Sequence, residues 1–180
     1  DGAPIGGEVR VNTTTVGSQG RPDVSALGDG GWLVSWDSSQ EESKGLDIYQ
    51  QRYDKDGSIV ECTAEVNINT AGDQSNPSIA ARSNGGWVVS WMSLGQVDRP
   101  WADHSGWGVY QQLFSPDGRH TQTMYTAGYE GKLPVNGTTL GDQSHPSIAV
   151  LPDGGWLVVW QSPDGSGEGI YQRRYTSLSR

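Results

Sequence analysis

Three short runs combine carboxylate, amide or cationic side chains at matching positions. Asp73-Gln74-Ser75-Asn76 and Asp142-Gln143-Ser144-His145 share their first three residues, and Ser18-Gln19-Gly20-Arg21 takes their place nearer the start. Each run is followed at once by a proline (Pro22, Pro77, Pro146), and further on by an indole (Trp36, Trp91, Trp160). The second copy adds Trp101, His104 and Trp107. Planar amides and carboxylates can satisfy vicinal hydroxyls in pairs, and an indole covers the apolar C–H face of a pyranose. The residues expected to bind carbohydrate are therefore Gln19, Arg21, Trp36, Asp73, Gln74, Asn76, Trp91, Trp107, Asp142, Gln143, His145 and Trp160. A plainer reading stands beside this one. An Asp in a Gly-Asp-Gln-Ser loop also serves an Asx turn, and a Trp-x-Val-x-Trp face also serves as core. Gln50, Gln111 and Gln172 read as internal hydrogen-bonding residues.

Other chemistries find less support. The three histidines, His104, His120 and His145, include no pair at metal-ligand spacing, and neither His-Glu-x-x-His nor Gly-x-Ser-x-Gly occurs. Cys62 is the single cysteine, so no internal disulfide forms. Ser115-Pro116-Asp117-Gly118 lacks the spaced Gly and the Thr-Trp of a sialidase Asp box. Asp164-Gly165-Ser166-Gly167-Glu168 offers hard oxygen ligands for Ca²⁺ without the alternation of a dedicated loop. The expectation is a protein that is not an enzyme and needs no cofactor.

A threefold repeat sets the positions of these runs. Gly30-Gly31-Trp32-Leu33-Val34-Ser35-Trp36 recurs as Gly85-Gly86-Trp87-Val88-Val89-Ser90-Trp91 and as Gly154-Gly155-Trp156-Leu157-Val158-Val159-Trp160. Ile48-Tyr49-Gln50, Val109-Tyr110-Gln111 and Ile170-Tyr171-Gln172 follow in the same order. Asp-Gly pairs frame one domain over 1–180 with repeats 1–55, 56–116 and 117–180, the third carrying an insertion around Met124 to Gly131. The chain thus starts and stops on a repeat boundary, which suggests a whole functional unit.

Each repeat predicts four antiparallel strands: a Glu-Val-x-Val-Asn stretch, a strand after the proline, the Trp segment and the Tyr segment. The 26 Gly and 9 Pro suit tight turns, while 8 Trp and 7 Tyr supply the core that the sparse aliphatics do not. In the Trp segment one face carries Trp32, Val34 and Trp36 and the other Leu33 and Ser35, so the strand must be covered on both sides. That predicts an all-β fold of three four-stranded blades, a β-propeller completed by oligomerisation, most simply as a dimer. A three-fold β-trefoil or β-prism monomer is the alternative.

A net charge of −9 makes nucleic acid and anionic membrane poor partners. No apolar run approaches the ~18–20 residues that span a bilayer. Asp1 without a preceding Met suits a processed, secreted protein, and Asn12-Thr-Thr and Asn136-Gly-Thr are glycosylation sequons.

The run Gly-Asp-Gln-Ser-x-Pro-Ser-Ile-Ala, then Asp-Gly-Gly-Trp-Leu-Val-Val-Trp-Gln-Ser, then Asp-Gly-Ser-Gly-Glu-Gly-Ile-Tyr-Gln-Arg-Arg-Tyr, resembles tandem repeats of large secreted bacterial adhesins and haemolysin-type calcium-binding proteins. It is clearest over 135–175, and the first repeat departs from it at Gly17-Ser18-Gln19-Gly20-Arg21-Pro22. The resemblance implies an extracellular, adhesive role. By architecture the chain is also similar to Trp-rich propeller lectins. The expected function is a secreted carbohydrate-binding lectin for glycans or glycoproteins, with one weak site per repeat and avidity from multivalency. Alternatives are a structural module of a surface adhesin that binds protein and, third, a glycan-processing enzyme.

Overall fold

The computed structural model describes residues 2–39, 45–60, 63–68, 72–94, 106–121, 133–137 and 140–177. Cys62, Trp101, His104 and the 124–131 insertion lie outside the described residues. Eleven strands follow one another without a helix among these residues: β1 (Gln19–Ala26), β2 (Trp32–Ser38), β3 (Asp47–Tyr53), β4 (Ala64–Glu65), β5 (Gln74–Ala81), β6 (Trp87–Leu94), β7 (Trp107–Phe114), β8 (Leu133–Pro134), β9 (Ser144–Val150), β10 (Trp156–Pro163) and β11 (Glu168–Tyr175). They form three antiparallel sheets, β1-β2-β3-β4, β5-β6-β7-β8 and β9-β10-β11. The sheets stand side by side with β1, β5 and β9 adjacent, tied by Ile79 N–H to Asp23 Oδ2 (2.8 Å), Ala81 N–H to Ser25 Oγ (2.9 Å) and Ile148 N–H to Ser78 Oγ (3.2 Å). This β-propeller-like arc is not closed, and it excludes the shared barrel of a trefoil.

The turns follow from their glycines. Between β1 and β2, Gly30 adopts φ 90° and its N–H reaches Leu27 O at 3.1 Å. Gly31 has no room for a side chain, because a Cβ there would lie 2.3 Å from Tyr53 O. Asp29 Oδ1 accepts the Gly31 N–H at 3.0 Å and Oδ2 accepts from Arg52 at 2.9 Å. The Gly31 N–H, then Arg52, hold the Asp29 carboxyl below the usual carboxylate range. Asp153 repeats the device with the Gly155 N–H and Arg174, and its carboxyl is lowered for the same reasons.

Packing between sheets accounts for the two-sided Trp strand. Leu33, Ile48 and Val66 of the first sheet pack against Trp87, Val89 and Trp91 of the second. Val88, Val109, Leu113 and Val135 of the second sheet meet Trp156, Val158 and Trp160 of the third. Each sheet thus offers its indole face to the sheet before it and its Leu33-type face to the sheet after it. Trp87 Nε1 donates to Gln50 Oε1 (2.9 Å) and Trp156 Nε1 to Gln111 Oε1 (2.8 Å), so the recurrent glutamines are links between neighbouring sheets. Within a sheet, Trp87 stacks on Phe114 (5.3 Å) and Trp156 on Tyr175 (5.1 Å).

One expectation needs revision. In the second and third copies the stretch that ends in Val-Asn is not the first strand of its own repeat but the outermost strand of the preceding sheet, with Glu65 opposite Tyr49 and Pro134 opposite Tyr110. The sheets therefore cut across the 1–55, 56–116 and 117–180 frame. A turn that directly follows β3 brings the next strand back beside it, as sequential strands usually pair. Val66 N–H then donates to Ile48 O at 2.7 Å, and Asn67 Oδ1 accepts the Ile48 N–H at 2.7 Å.

Candidate functional site

The three inner strands carry the same local distortion. Pairing slips between Gly20 and Asp23 in β1, between Ser75 and Ser78 in β5, and opposite Val159 and Gln161 in β9. At each bulge one non-glycine residue sits in the left-handed region: Arg21 at φ 49°, Asn76 at 53° and His145 at 51°. The proline that follows each keeps its predecessor out of the right-handed helical region. Holding a non-glycine residue left-handed costs roughly 1–2 kcal/mol, least for Asn, and such strain concentrates at functional sites. Arg21, Asp23, Asn76, Ser78, His145 and Ser147 are the polar walls of one cleft of about 490 Å³, with Val24, Ile79 and Ile148 among its apolar surfaces. The scaffold of the cleft repeats three times, while its side-chain chemistry does not.

A buried carboxylate beneath the cleft positions two of these residues. Asp37, 1% exposed, accepts through Oδ2 from Arg21 Nη1 (2.7 Å), Ser75 Oγ (3.0 Å) and Asn76 N–H (3.2 Å). The Arg21 side chain is still about half exposed, leaving N–H groups for a ligand. Met92 and Gln161 occupy the position equivalent to Asp37, and Met92 Sδ accepts from His145 N–H at 3.5 Å. Asp23 caps Val24 N–H through Oδ1 (2.9 Å) and Ile79 N–H through Oδ2 (2.8 Å). A carboxylate has about four lone-pair directions, so acceptor capacity toward the cleft remains. His145 Nδ1 lies 3.0 Å from Ser144 Oγ.

The remaining sequence-predicted residues have other partners. Asp73 Oδ1 accepts Leu46 N–H (3.0 Å) and Asp142 Oδ1 accepts Trp107 N–H (2.9 Å), each reaching back to the preceding sheet. Gly45 and Gly106 leave the space for them: a Cβ would stand 2.5 and 2.0 Å from the respective carboxylates. Gln74 is fully buried and accepts from Trp91 Nε1 at 3.0 Å. Gln143, also buried, accepts from Asn136 Nδ2 at 2.7 Å, and Gln19 accepts from Asn12 Nδ2 at 3.3 Å. Trp36, Trp91 and Trp160 are buried. Of the predicted set, then, the structure gathers Arg21, Asn76 and His145 at the cleft. Asp23 and Asp37 were missed, although the divergence of Asp37 from Met92 and Gln161 at one repeat position was a readable signal. Asp164 Oδ1 accepts from Ser166 N–H (2.8 Å), Ser166 Oγ (2.8 Å) and Gly167 N–H (3.0 Å), which is turn geometry and holds its carboxyl low. Among the described residues no three His, Cys, Asp or Glu side chains cluster as a metal site.

Asp142→Ala is expected to lower stability by about 1 kcal/mol, because the Trp107 N–H loses its charged acceptor. In a domain of this size that is a fall in Tm of about 2–4 °C, measurable by thermal denaturation.

No protein family matches the chain, and no curated protein matches it. Solved structures share the arrangement. An endo-arabinase from Bacteroides thetaiotaomicron superposes with a TM-score of 0.56 at 12% identity, over 94% of this chain and 60% of that one. A Hadza microbial sialidase gives 0.56 at 11%, over 86% and 34%, and an endo-1,4-beta-xylanase from B. thetaiotaomicron gives 0.52 at 13%, over 96% and 62%. The chain spans less than two thirds of the length of each, and at such identities the likeness establishes the fold. These neighbours overturn the expectation of a non-enzymatic lectin, because the proteins that share the arrangement are named as enzymes acting on glycans. The absence of His-Glu-x-x-His and Gly-x-Ser-x-Gly is no argument against that class, since glycosidic cleavage needs two carboxyl groups and no fixed spacing between them in sequence.

Proposed function

We propose that the chain is an arc of a glycan-processing propeller and that its chemistry takes place in the cleft between the inner strands. The observation that carries this reading is the set of three strained residues, Arg21, Asn76 and His145, held at one step of three equivalent strands around a common cleft. Arg21, steadied by Asp37, donates to sugar hydroxyl or carboxylate oxygens. Asn76 and His145 complete a polar rim, and Asp23 is the carboxyl group placed for proton transfer to or from a glycosidic oxygen or a water. One arc supplies one such carboxyl; the second must face it from the rest of the ring. The fold of the arabinase, xylanase and sialidase supports this reading.

Release of reducing ends from arabinan, xylan and sialylated glycans tests it. Turnover of at least one substrate is expected, and Asp23→Asn is expected to reduce it by about 10²–10⁴-fold, the usual contribution of a general acid or base. The amide oxygen of the variant still accepts the Ile79 N–H, and the Val24 N–H, an exposed donor, turns to water, so Tm should move little. No release from any of the three by the assembled wild-type protein, or unchanged turnover in Asp23→Asn, overturns the assignment.

A further inference from the structure

The two ends of the arc carry complementary, unfilled halves of the contact that joins neighbouring sheets. In the first two sheets the isoleucine or valine that heads the Tyr strand is sealed: Ile48 and Val109 are both 0% exposed. Val66 and Val135 cover them, donating backbone N–H groups to Ile48 O (2.7 Å) and Val109 O (2.8 Å). Asn67 and Asn136 return an Oδ1 to the Ile48 and Val109 N–H groups, at 2.7 and 2.8 Å. In the third sheet the equivalent Ile170 is 79% exposed and β11 has no outer neighbour among the described residues. The chain nevertheless contains a third copy of the covering motif. Glu8-Val9-Arg10-Val11-Asn12 closes on the same Val-Asn pair as Ala64-Glu65-Val66-Asn67 and Leu133-Pro134-Val135-Asn136, and it pairs with no strand among the described residues. Asn12 already donates to Gln19 Oε1 as Asn136 does to Gln143, while its own Oδ1 accepts nothing among the described residues.

The sheet faces repeat this complementarity. Trp32 is half-buried where Trp87 and Trp156 are sealed, and no described glutamine accepts from its Nε1. At the far end Gln172 is exposed where Gln50 and Gln111 accept from an indole of the next sheet, and Leu157 and Val159 are half-buried where Leu33 and Val88 are sealed. A ring needs at least about four blades, so one arc cannot close on itself.

We infer that two copies of this chain close a ring by strand exchange, each laying Val9–Asn12 along β11 of the other. Val11 N–H meets Ile170 O and Asn12 Oδ1 meets Ile170 N–H. Trp32 Nε1 reaches Gln172 Oε1, and the Leu157–Val159 face covers Trp32, Val34 and Trp36. The same closure sets a second Asp23 and a second Arg21 on the shared channel. The strand exchange rests on the two open edges alone and stands whether or not the channel cleaves a glycan.

Light scattering should give twice the 19.4 kDa chain mass at micromolar concentration. Ile170→Lys, at a residue already exposed in the single arc, should give the single mass with the same far-ultraviolet circular dichroism. In a Cys62→Ser background, Arg10→Cys mixed with Tyr171→Cys should form a covalent dimer on mild oxidation, because the repeat register sets position 10 opposite 171 as it sets Glu65 opposite Tyr49. Arg10→Cys mixed with Ser166→Cys should not. A single-chain mass for the wild type, a persisting dimer in Ile170→Lys, or no cross-link between positions 10 and 171 overturns the inference.

Discussion

Trp87→Ala is expected to cost about 3–5 kcal/mol, the usual range for removing a buried Trp from a core. Trp87 is 1% exposed, stacks on Phe114 at 5.3 Å and donates to Gln50 Oε1 at 2.9 Å across the boundary between the first two sheets. Truncation opens a void between sheets that are each fixed by their own ladders, so collapse into the space is limited. It also strands Gln50 Oε1, which adds an unpaired buried acceptor to the loss. At about 2–4 °C per kcal/mol for a domain of this size, Tm should fall by roughly 6–20 °C. Trp32→Ala is the matched control. Its indole lies on the open face of the arc, so its cost is expected to be small for an isolated arc and to approach that of Trp87→Ala once a second copy covers it. A fall of only 1–2 °C for Trp87→Ala, followed by near-ultraviolet circular dichroism, would show that the sheets are stable without this contact.

Asp37→Ala is expected to damage the cleft and the fold together. Three donors converge on its carboxylate: the Arg21 guanidinium, the Ser75 hydroxyl and the Asn76 N–H. Hydrogen bonds to a charged group contribute about 1.5–3 kcal/mol each when buried, and the half-exposed Arg21 recovers part of its share from water. A net loss of about 2–3 kcal/mol is expected. The effect on the cleft is separate, because Asp37 holds both a left-handed Arg21 and the backbone of a left-handed Asn76. Under the proposed function, releasing them misplaces the groups assigned to orient a glycan, and displacements of about 1 Å can cost 10²-fold in rate. Asp37→Asn retains one acceptor oxygen and tests the two effects apart. It should recover most of the stability, while kcat/KM on a glycan turned over by the wild type stays depressed, chiefly through KM, since the proposed role of Arg21 is to bind. Full kcat/KM in Asp37→Asn would show that Arg21 needs no charged anchor.

The local parts of this protein are legible in its residue order. Trp32-Leu33-Val34-Ser35-Trp36 alternates apolar or small residues on both faces, and period-two alternation alone requires such a strand to be sandwiched. The Asp-Gly-Gly turns were legible for a similar reason: Gly31 and Gly155 stand where a Cβ would strike the carbonyl of Tyr53 or Tyr175. What the polar residues do depends on which strands pack together. Asp73, Asp142, Gln74 and Gln143 have the composition of a sugar site, yet they bond Leu46, Trp107, Trp91 and Asn136. Two of those pairs join residues 27 and 35 positions apart, and no spacing along the chain predicts which backbone N–H will face a given carboxylate. The same holds for Val66, which belongs by repeat to one unit and by hydrogen bonding to the sheet before it. Arg21, Asn76 and His145 converge because β1, β5 and β9 stand side by side, an adjacency made by sheet-on-sheet packing of indoles far from the cleft. Alternation along one strand is a local property written in the order of residues, whereas neighbourhood between strands is set by long-range burial, and the candidate site lies where strands from all three repeats meet.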